Sequence, residues 1–192
     1  MIYLQKPLIL ASNSPRRKQL LADCGFDFIV EVLPTDERFP PDLQTAEVAA
    51  YISHGKAEVF RGKRPEAIVL TADTVVIAEN RILGKPADAT EAFQMLKMLS
   101  GKKHEVVTAV SILSEDSLET ISDTAIVYFR ELVDSEISYY IDLCKPFDKA
   151  GAYGIQEWIG MTGIEKIEGS FYTIMGLPVH IVYQKLKSFF RD

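Results

Sequence analysis

Ser12, Ser14, Pro15, Arg16 and Arg17 lie within six positions, directly after the apolar run Leu8-Ile9-Leu10-Ala11. Ser14 suits an N-cap and Pro15 a first helical position, since the hydroxyl accepts an otherwise unpaired N–H and proline has none to leave unpaired. Leu20, Leu21 and Cys24 follow at helical spacing, so the stretch predicts strand, tight loop, helix. Arg16, Arg17 and Lys18 then fall in the first turn, where the helix dipole disfavours cations by roughly 0.3–1 kcal/mol each. Unpaired backbone N–H groups, serine hydroxyls and two guanidinium forks together suit an oligo-anion, most simply a phosphate chain. A solvated basic turn is the competing reading, and the serines and proline favour the phosphate.

Asp73 interrupts a stretch from Ala67 to Ala78 that is apolar on both alternating faces, the pattern of a central strand covered on both sides. A buried, unpaired carboxylate is costly, so an acid here needs a cation, a metal, a set of donors or a raised pKa. It reads either as a metal ligand or general base, or as a strand-end acid bonded to backbone, and the stretch alone leaves both open. The Thr74 hydroxyl points to the opposite face unless the strand bulges. Glu37, next to Asp36, sits in an acidic, proline-rich loop over 33–41; loops of this length are often functional, so it is a metal- or base-contacting carboxylate or a solvated acid. Lys56 falls near the end of a helical stripe over 45–60, where cations favour the dipole, and by itself reads as a solvated helix lysine. In Gly84-Lys85-Pro86 the glycine permits close backbone approach, and the proline biases Lys85 to an extended conformation that aims its ammonium into a cleft.

Further elements must position these residues. Gly25 is placed to end the first helix, and Phe26 to Val32 reads as a second strand. Glu79-Asn80 marks a turn before a short strand, Arg81 to Leu83. Asp88 to Leu99 is a helix, with Asp88 and Glu91 resembling a capping box and Ala92, Met95, Leu96 and Leu99 as its buried stripe. His104 to Leu113 and Leu118 to Arg130 read as a hairpin around Ser114-Glu115-Asp116-Ser117, and Asp134 to Leu143 as an amphipathic helix. A glycine-dense segment, 145–156, precedes a strand at 164–167. Gly176-Leu177-Pro178 then leads into a helix with Val179, Val182, Leu186, Phe189 and Phe190 on its apolar face. No repeat or flexible linker divides these parts, so the sequence describes one α/β unit.

The 192 residues are 47% apolar and 25% charged, the composition of an ordinary globular protein. The net charge of −6 argues against extended nucleic-acid binding, so the positive charge that matters is local. The first residues lack a signal-peptide pattern and no apolar run approaches the roughly 20 residues that cross a bilayer, so the expectation is a cytoplasmic protein without membrane contact. Cys24 and Cys144 fall in apolar helical patterns and are expected to be buried thiols. His54, His104 and His180 show no metal-ligand spacing, which argues against a structural zinc site.

Four motifs now agree. Ser12-Asn13-Ser14-Pro15-Arg16-Arg17, Ala72-Asp73-Thr74, Gly84-Lys85-Pro86 and the stretch from Asp148 to Gln156 (DKAGAYGIQ) resemble, in that order, the Maf family of nucleoside triphosphate pyrophosphatases. Gly176-Leu177-Pro178 and the overall length also match, so the resemblance spans 1–192 as a single Maf-like domain. It implies a mixed α/β fold of the Maf/Ham1 (ITPase-like) type, a central β-sheet flanked by helices, and two lobes with a nucleotide cleft. It further implies a divalent cation, Mg²⁺ or Mn²⁺, a homodimer, and hydrolysis of a nucleoside triphosphate to the monophosphate and pyrophosphate, a house-cleaning of the nucleotide pool.

Carried over by position, Asp73 matches the proton acceptor, and Ser12, Ser14, Arg16, Arg17, Glu37, Lys56 and Lys85 match phosphate, metal or substrate contacts. Asp73 and Glu37 are the implied metal ligands. The branch acting on methylated guanine nucleotides resembles S-P-W-R and S-D-Q with a different block in place of G-A-Y-G-I-Q; Arg16, Thr74 and Gln156 here resemble the dTTP/UTP branch and are the expected specificity residues. The Gln156 amide offers one acceptor and one donor, complementary to the N3–H and O4 edge of thymine or uracil. Glu157-Trp158 follows the glutamine where the family often has a glycine, so Trp158 is expected to reshape the pocket wall and bears on accessory base preferences, not on the reaction. A nucleotide-binding regulator of septum formation without turnover and a 7-methyl-GTP pyrophosphatase are the rival readings; Asp73 with Lys85 favours an enzyme, and Arg16, Thr74 and Gln156 favour pyrimidines.

Overall fold

A computed structural model describes residues 2–115 and 117–191. Among them, seven strands form one mixed sheet: β1 (Leu8–Leu10), β2 (Ile29–Val30), β3 (Ile68–Ala78), β4 (Arg81–Leu83), β5 (Lys103–Ser114), β6 (Ser117–Phe129) and β7 (Ile164–Glu168). The order is β2-β1-β3-β5-β6-β7, with β4 also paired to β3. The helices are α1 (Pro15–Asp23), α2 (Val48–Glu58), α3 (Ala89–Leu99), α4 (Asp134–Cys144), α5 (Trp158–Gly163), α6 (Phe171–Met175) and α7 (Val179–Leu186). This is the expected mixed α/β class.

The described chain gathers into two compact units. The first holds the residues up to Asp73, Thr108–Asp123 and those from Gly176 on. Here β1 pairs in parallel with β2 (Ile9 opposite Ile29) and with β3 (Leu8 opposite Ile68). Parallel neighbours need crossover connections, and the intervening α1 and α2 supply helices for them. Ile9, Ala57, Phe60, Val69 and Leu113 pack as its buried core. The second unit holds Thr74–Val107 and Thr124–Met175. In it β3 turns through Glu79 and Asn80, both at positive φ, into antiparallel β4, and β6 pairs with β7. Its core joins the apolar faces of α3 and α4 to Val76, Val106, Val127, Phe129 and Ile155.

Most local expectations hold. Ser14 caps α1, Gly25 follows it at φ +83°, β3 is buried along nearly its whole length, and Ala92, Met95, Leu96 and Leu99 line the buried side of α3. Asp116, in the expected hairpin turn, lies outside the described residues.

The second strand is the clearest departure, shrinking from 26–32 to Ile29–Val30. It is the sheet edge, with one neighbour and both side chains exposed, while Phe26 bridges Ile2 and packs against Tyr183 and Phe190. The capping box is only half formed: Asp88 accepts from the Glu91 N–H at 2.9 Å, but Glu91 reaches past Asp88 to the Ala87 N–H at 2.7 Å. Helices α5 and α6 had no counterpart in the sequence reading, being too short to show a helical stripe. Cys24 and Cys144 are free and only half-buried.

Candidate functional site

In the first unit, β1 delivers Ser12 into the turn that starts α1. The Ser12 hydroxyl accepts from the Ser14 N–H at 3.3 Å and from Arg17 Nη1 at 3.3 Å, and the Ser14 hydroxyl accepts from the Arg17 N–H at 3.4 Å. Arg17 does more than the sequence suggested. Its Nη1 donates to the Ala72 carbonyl at 2.8 Å and its Nε to the Gly176 carbonyl at 2.8 Å, so one guanidinium ties the serine turn to β3 and to the segment before α7. Burial pushes this guanidinium below its ordinary pKa; Asp73 and Glu37 oppose the shift and Arg16 adds to it. Arginine remains charged under such a shift. Arg16 lies half-buried in the first turn of α1.

Lys56 is not the solvated helix lysine its sequence context suggests. Its Nζ lies 2.8 Å from Asp73 Oδ1 and 2.9 Å from Glu37 Oε1, with side-chain exposures of 16%, 15% and 59% for lysine, aspartate and glutamate. The 33–41 loop thus brings Glu37 to the same ammonium as a β3 carboxylate. Of the two readings of Asp73, the structure shows an acid paired to a cation rather than one bonded only to backbone.

A buried hydroxyl chain explains why helix and strand meet in this register. Thr71 Oγ1 donates to the Ser53 carbonyl at 2.7 Å, so the Ser53 hydroxyl, 3.1 Å away, must donate to Thr71. With one proton per hydroxyl, Ser111 then donates to Ser53 at 2.9 Å and Thr120 to Ser111 at 2.8 Å. Thr71 precedes Asp73 by two residues on one strand face, and Ser53 precedes Lys56 by one helical turn. Bonding Thr71 to Ser53 therefore sets Asp73 opposite Lys56. The sequence reading missed this chain, because a serine in an apolar helical pattern carries no sign of its partner.

The second unit carries the remaining expected residues. Thr74 is half-buried on β3, and Lys85 is exposed on the loop after β4. A Cβ at Gly84 would meet no protein atom within 4 Å; its carbonyl accepts from the Gly151 N–H at 3.0 Å, joining the Lys85 loop to the segment that leads to Gln156. Gln156 is exposed, with its Nε2 against Gly154. Trp158 opens α5 and packs edge-on against Tyr139, ring centres 5.1 Å apart. The structure gathers Ser12, Ser14, Arg17, Glu37, Lys56 and Asp73 within the first unit and leaves Lys85 and Gln156 in the second. No group of three or more His, Cys, Asp or Glu side chains suited to a metal occurs among the described residues, and no described helix is long and apolar enough to cross a membrane.

A parallel β1-β3 pair, a serine turn at a helix N-terminus and a carboxylate held by lysine make this an α/β protein with a site whose chemistry suits a phosphorylated ligand. The fold is that of the Ham1 protein of Staphylococcus aureus, with a TM-score of 0.56 at 13% identity over 95% of this chain and 99% of that one. The Maf-like protein family matches residues 7–189, and the chain belongs to that family. Among its relatives, the dTTP/UTP pyrophosphatase of Bacteroides thetaiotaomicron is 47% identical over 182 residues, 94% of each chain. That of Cytophaga hutchinsonii is 45% identical over 183 residues, 95% of this chain and 84% of the relative.

Proposed function

We infer that this protein hydrolyses dTTP and UTP between the α- and β-phosphates, releasing the nucleoside monophosphate and pyrophosphate, and so clears the nucleotide pool. The observation that carries this reading is the convergence of Asp73 and Glu37 on Lys56, on a strand beside the one that feeds the α1 N-terminus. Similarity to the dTTP/UTP pyrophosphatases supports the substrate class.

In this reading Asp73 takes the proton of the attacking water as its oxygen bonds to phosphorus, and the bond to the departing pyrophosphate breaks. Arg16, Lys56, Lys85, Ser12 and Ser14 hold the phosphates. Arg17, tied to two carbonyls, shapes the serine turn and lends its charge. Gln156 reads the N3–H and O4 edge of the base, with Arg16 and Thr74 as the other specificity residues.

Asp73 and Glu37 would hold a divalent cation, Mg²⁺ or Mn²⁺. The fit rests on two hard oxygen donors already converging on one positive charge; a cation that takes one or two protein carboxylates and completes its shell with phosphate oxygens and water needs no larger cage. When bound, it would neutralise charge on the phosphates. The chain 1–192 acts here as one Maf-like domain, a cytoplasmic homodimer, a state that light scattering on the purified protein would test.

Pyrophosphate release from dTTP, UTP, CTP, dGTP and 7-methyl-GTP, with Mg²⁺ or Mn²⁺ and with a chelator control, tests the reading. Turnover of dTTP and UTP is expected. Turnover of 7-methyl-GTP alone would overturn the base assignment, and nucleotide binding without turnover would overturn the reaction.

A further inference from the structure

Beside Gln156 the structure holds a buried polar cluster to which the sequence assigned no role. Tyr140, fully buried on α4, donates its hydroxyl proton to Glu157 Oε2 and accepts from the Gly154 N–H at 3.0 Å. Glu157 Oε1 lies 3.0 Å from Nζ of Lys149, which also pairs with Asp148 at 2.7 Å and whose side chain is 9% exposed. The Glu157 N–H donates back to the Gly154 carbonyl at 3.0 Å.

Gly154 is thus held at both its N–H and its carbonyl. A Cβ there would fall 2.8 Å from the Glu157 carboxyl carbon and 3.1 Å from Gln156 Nε2, so only glycine lets the two side chains close over this point. On the next turn, a Cβ at Gly160 would lie 1.8 Å from the Ile155 carbonyl oxygen. Gln156 itself is exposed, yet its backbone is fixed on both sides: by buried Ile155 before it and by Glu157, tied to Tyr140 and Lys149, after it. Burial and the Glu157 carboxylate raise the Tyr140 phenol above its ordinary pKa, which keeps its proton available as a donor.

We propose that Glu157, locked between Tyr140 and Lys149, is a positioning residue for pyrimidine selectivity: it clamps the Gly154 turn and so fixes where Gln156 presents its amide. This rests on the reading of Gln156 as the base-contacting residue. A side-chain amide that must match a donor and an acceptor on one base edge discriminates only while its orientation is held, because a freely rotating amide accommodates other edges equally well.

The test is a double-mutant cycle on kcat and KM for dTTP and dGTP with Glu157→Gln, Gln156→Ala and both together, each checked for an unchanged circular dichroism spectrum. Contacting residues couple by amounts worth a few-fold to about a hundredfold, and Glu157→Gln is expected to raise KM for dTTP about tenfold with kcat changed less. Its dTTP preference over dGTP should fall, and in the Gln156→Ala background it should add nothing further. Tyr140→Phe, which keeps the ring and removes the hydroxyl, should shift selectivity in the same direction, and it stands in if Glu157→Gln does not fold. Equal losses for dTTP and dGTP, or a Glu157→Gln effect undiminished in the Gln156→Ala background, would overturn the positioning role. Unchanged selectivity in Gln156→Ala alone would instead overturn the reading of Gln156 on which the proposal rests.

Discussion

Lys56 Nζ sits 2.8 Å from Asp73 Oδ1, across 17 residues of sequence, and the same ammonium lies 2.9 Å from Glu37 Oε1. One cation therefore compensates a half-buried carboxylate on β3 and steers a loop carboxylate to it. Asp73→Asn keeps the shape of this arrangement but removes the carboxylate proposed as proton acceptor, and should lower kcat for dTTP by about 10²–10⁴. Lys56→Met should cost about 10²–10³ in kcat/KM, the range for removing one charge-stabilising donor. Steady-state pyrophosphate release measures both; near wild-type turnover in Asp73→Asn would remove it from the chemistry.

Arg17 makes its ties through two nitrogens at fixed angles, to the carbonyls of Ala72 and Gly176. A lysine cannot reach both in that geometry. Arg17→Lys should therefore destabilise the fold by about 1–3 kcal/mol, the cost of leaving a buried acceptor unsatisfied. A thermal melt should show the midpoint falling by several degrees, and an unchanged midpoint would mean that water replaces the lost donors.

His104 is buried against Phe129 and Tyr153, with Nε2 2.7 Å from the Tyr153 hydroxyl and Nδ1 without a hydrogen-bond partner. Burial pushes its pKa down from 6.5 to about 4. The unfolded chain therefore binds the extra proton first, and stability falls as pH drops from about 6.5 towards 4, by about 3 kcal/mol at most. Urea unfolding at pH 7, 5.5 and 4.5 should show this slope, and His104→Gln should flatten it. The Glu136 carboxyl, held down to about 2 by Arg130 and the Val133 N–H, adds its own loss of stability as pH falls from about 4.5 towards 2, so the slope between pH 7 and 5.5 is the part that reports His104.

Two glycines should respond in opposite ways. Gly160→Ala places a methyl group 1.8 Å from the Ile155 carbonyl oxygen, and the backbone shift this forces should cost about 1–3 kcal/mol. Gly84→Ala meets open space and should stay within about 0.5 kcal/mol of wild type. Denaturant midpoints separate the two, and a large loss at Gly84 would mean that the space beside its Cβ is not open in solution.

Periodicity by itself determined much of this protein: the two-sided apolar run that becomes β3, the stripe of α3, and the Ser14-Pro15 start of α1 were legible because each is written in neighbouring residues. The candidate residues were legible too, since their types and order resemble one family. What only the tertiary structure decided is pairing. Lys56 looks like any lysine near a helix end, and Tyr140 like its exposed neighbour Tyr139, until folding sets one against Asp73 and Glu37 and the other against Glu157. A hydrophobic pattern specifies which face of an element is buried, but not which distant side chain completes a hydrogen bond there. That choice depends on how α2 meets β3 through Ser53 and Thr71, and on how the Gly154 turn closes over Tyr140. Those are contacts between elements, and a reading confined to one stretch at a time has no access to them.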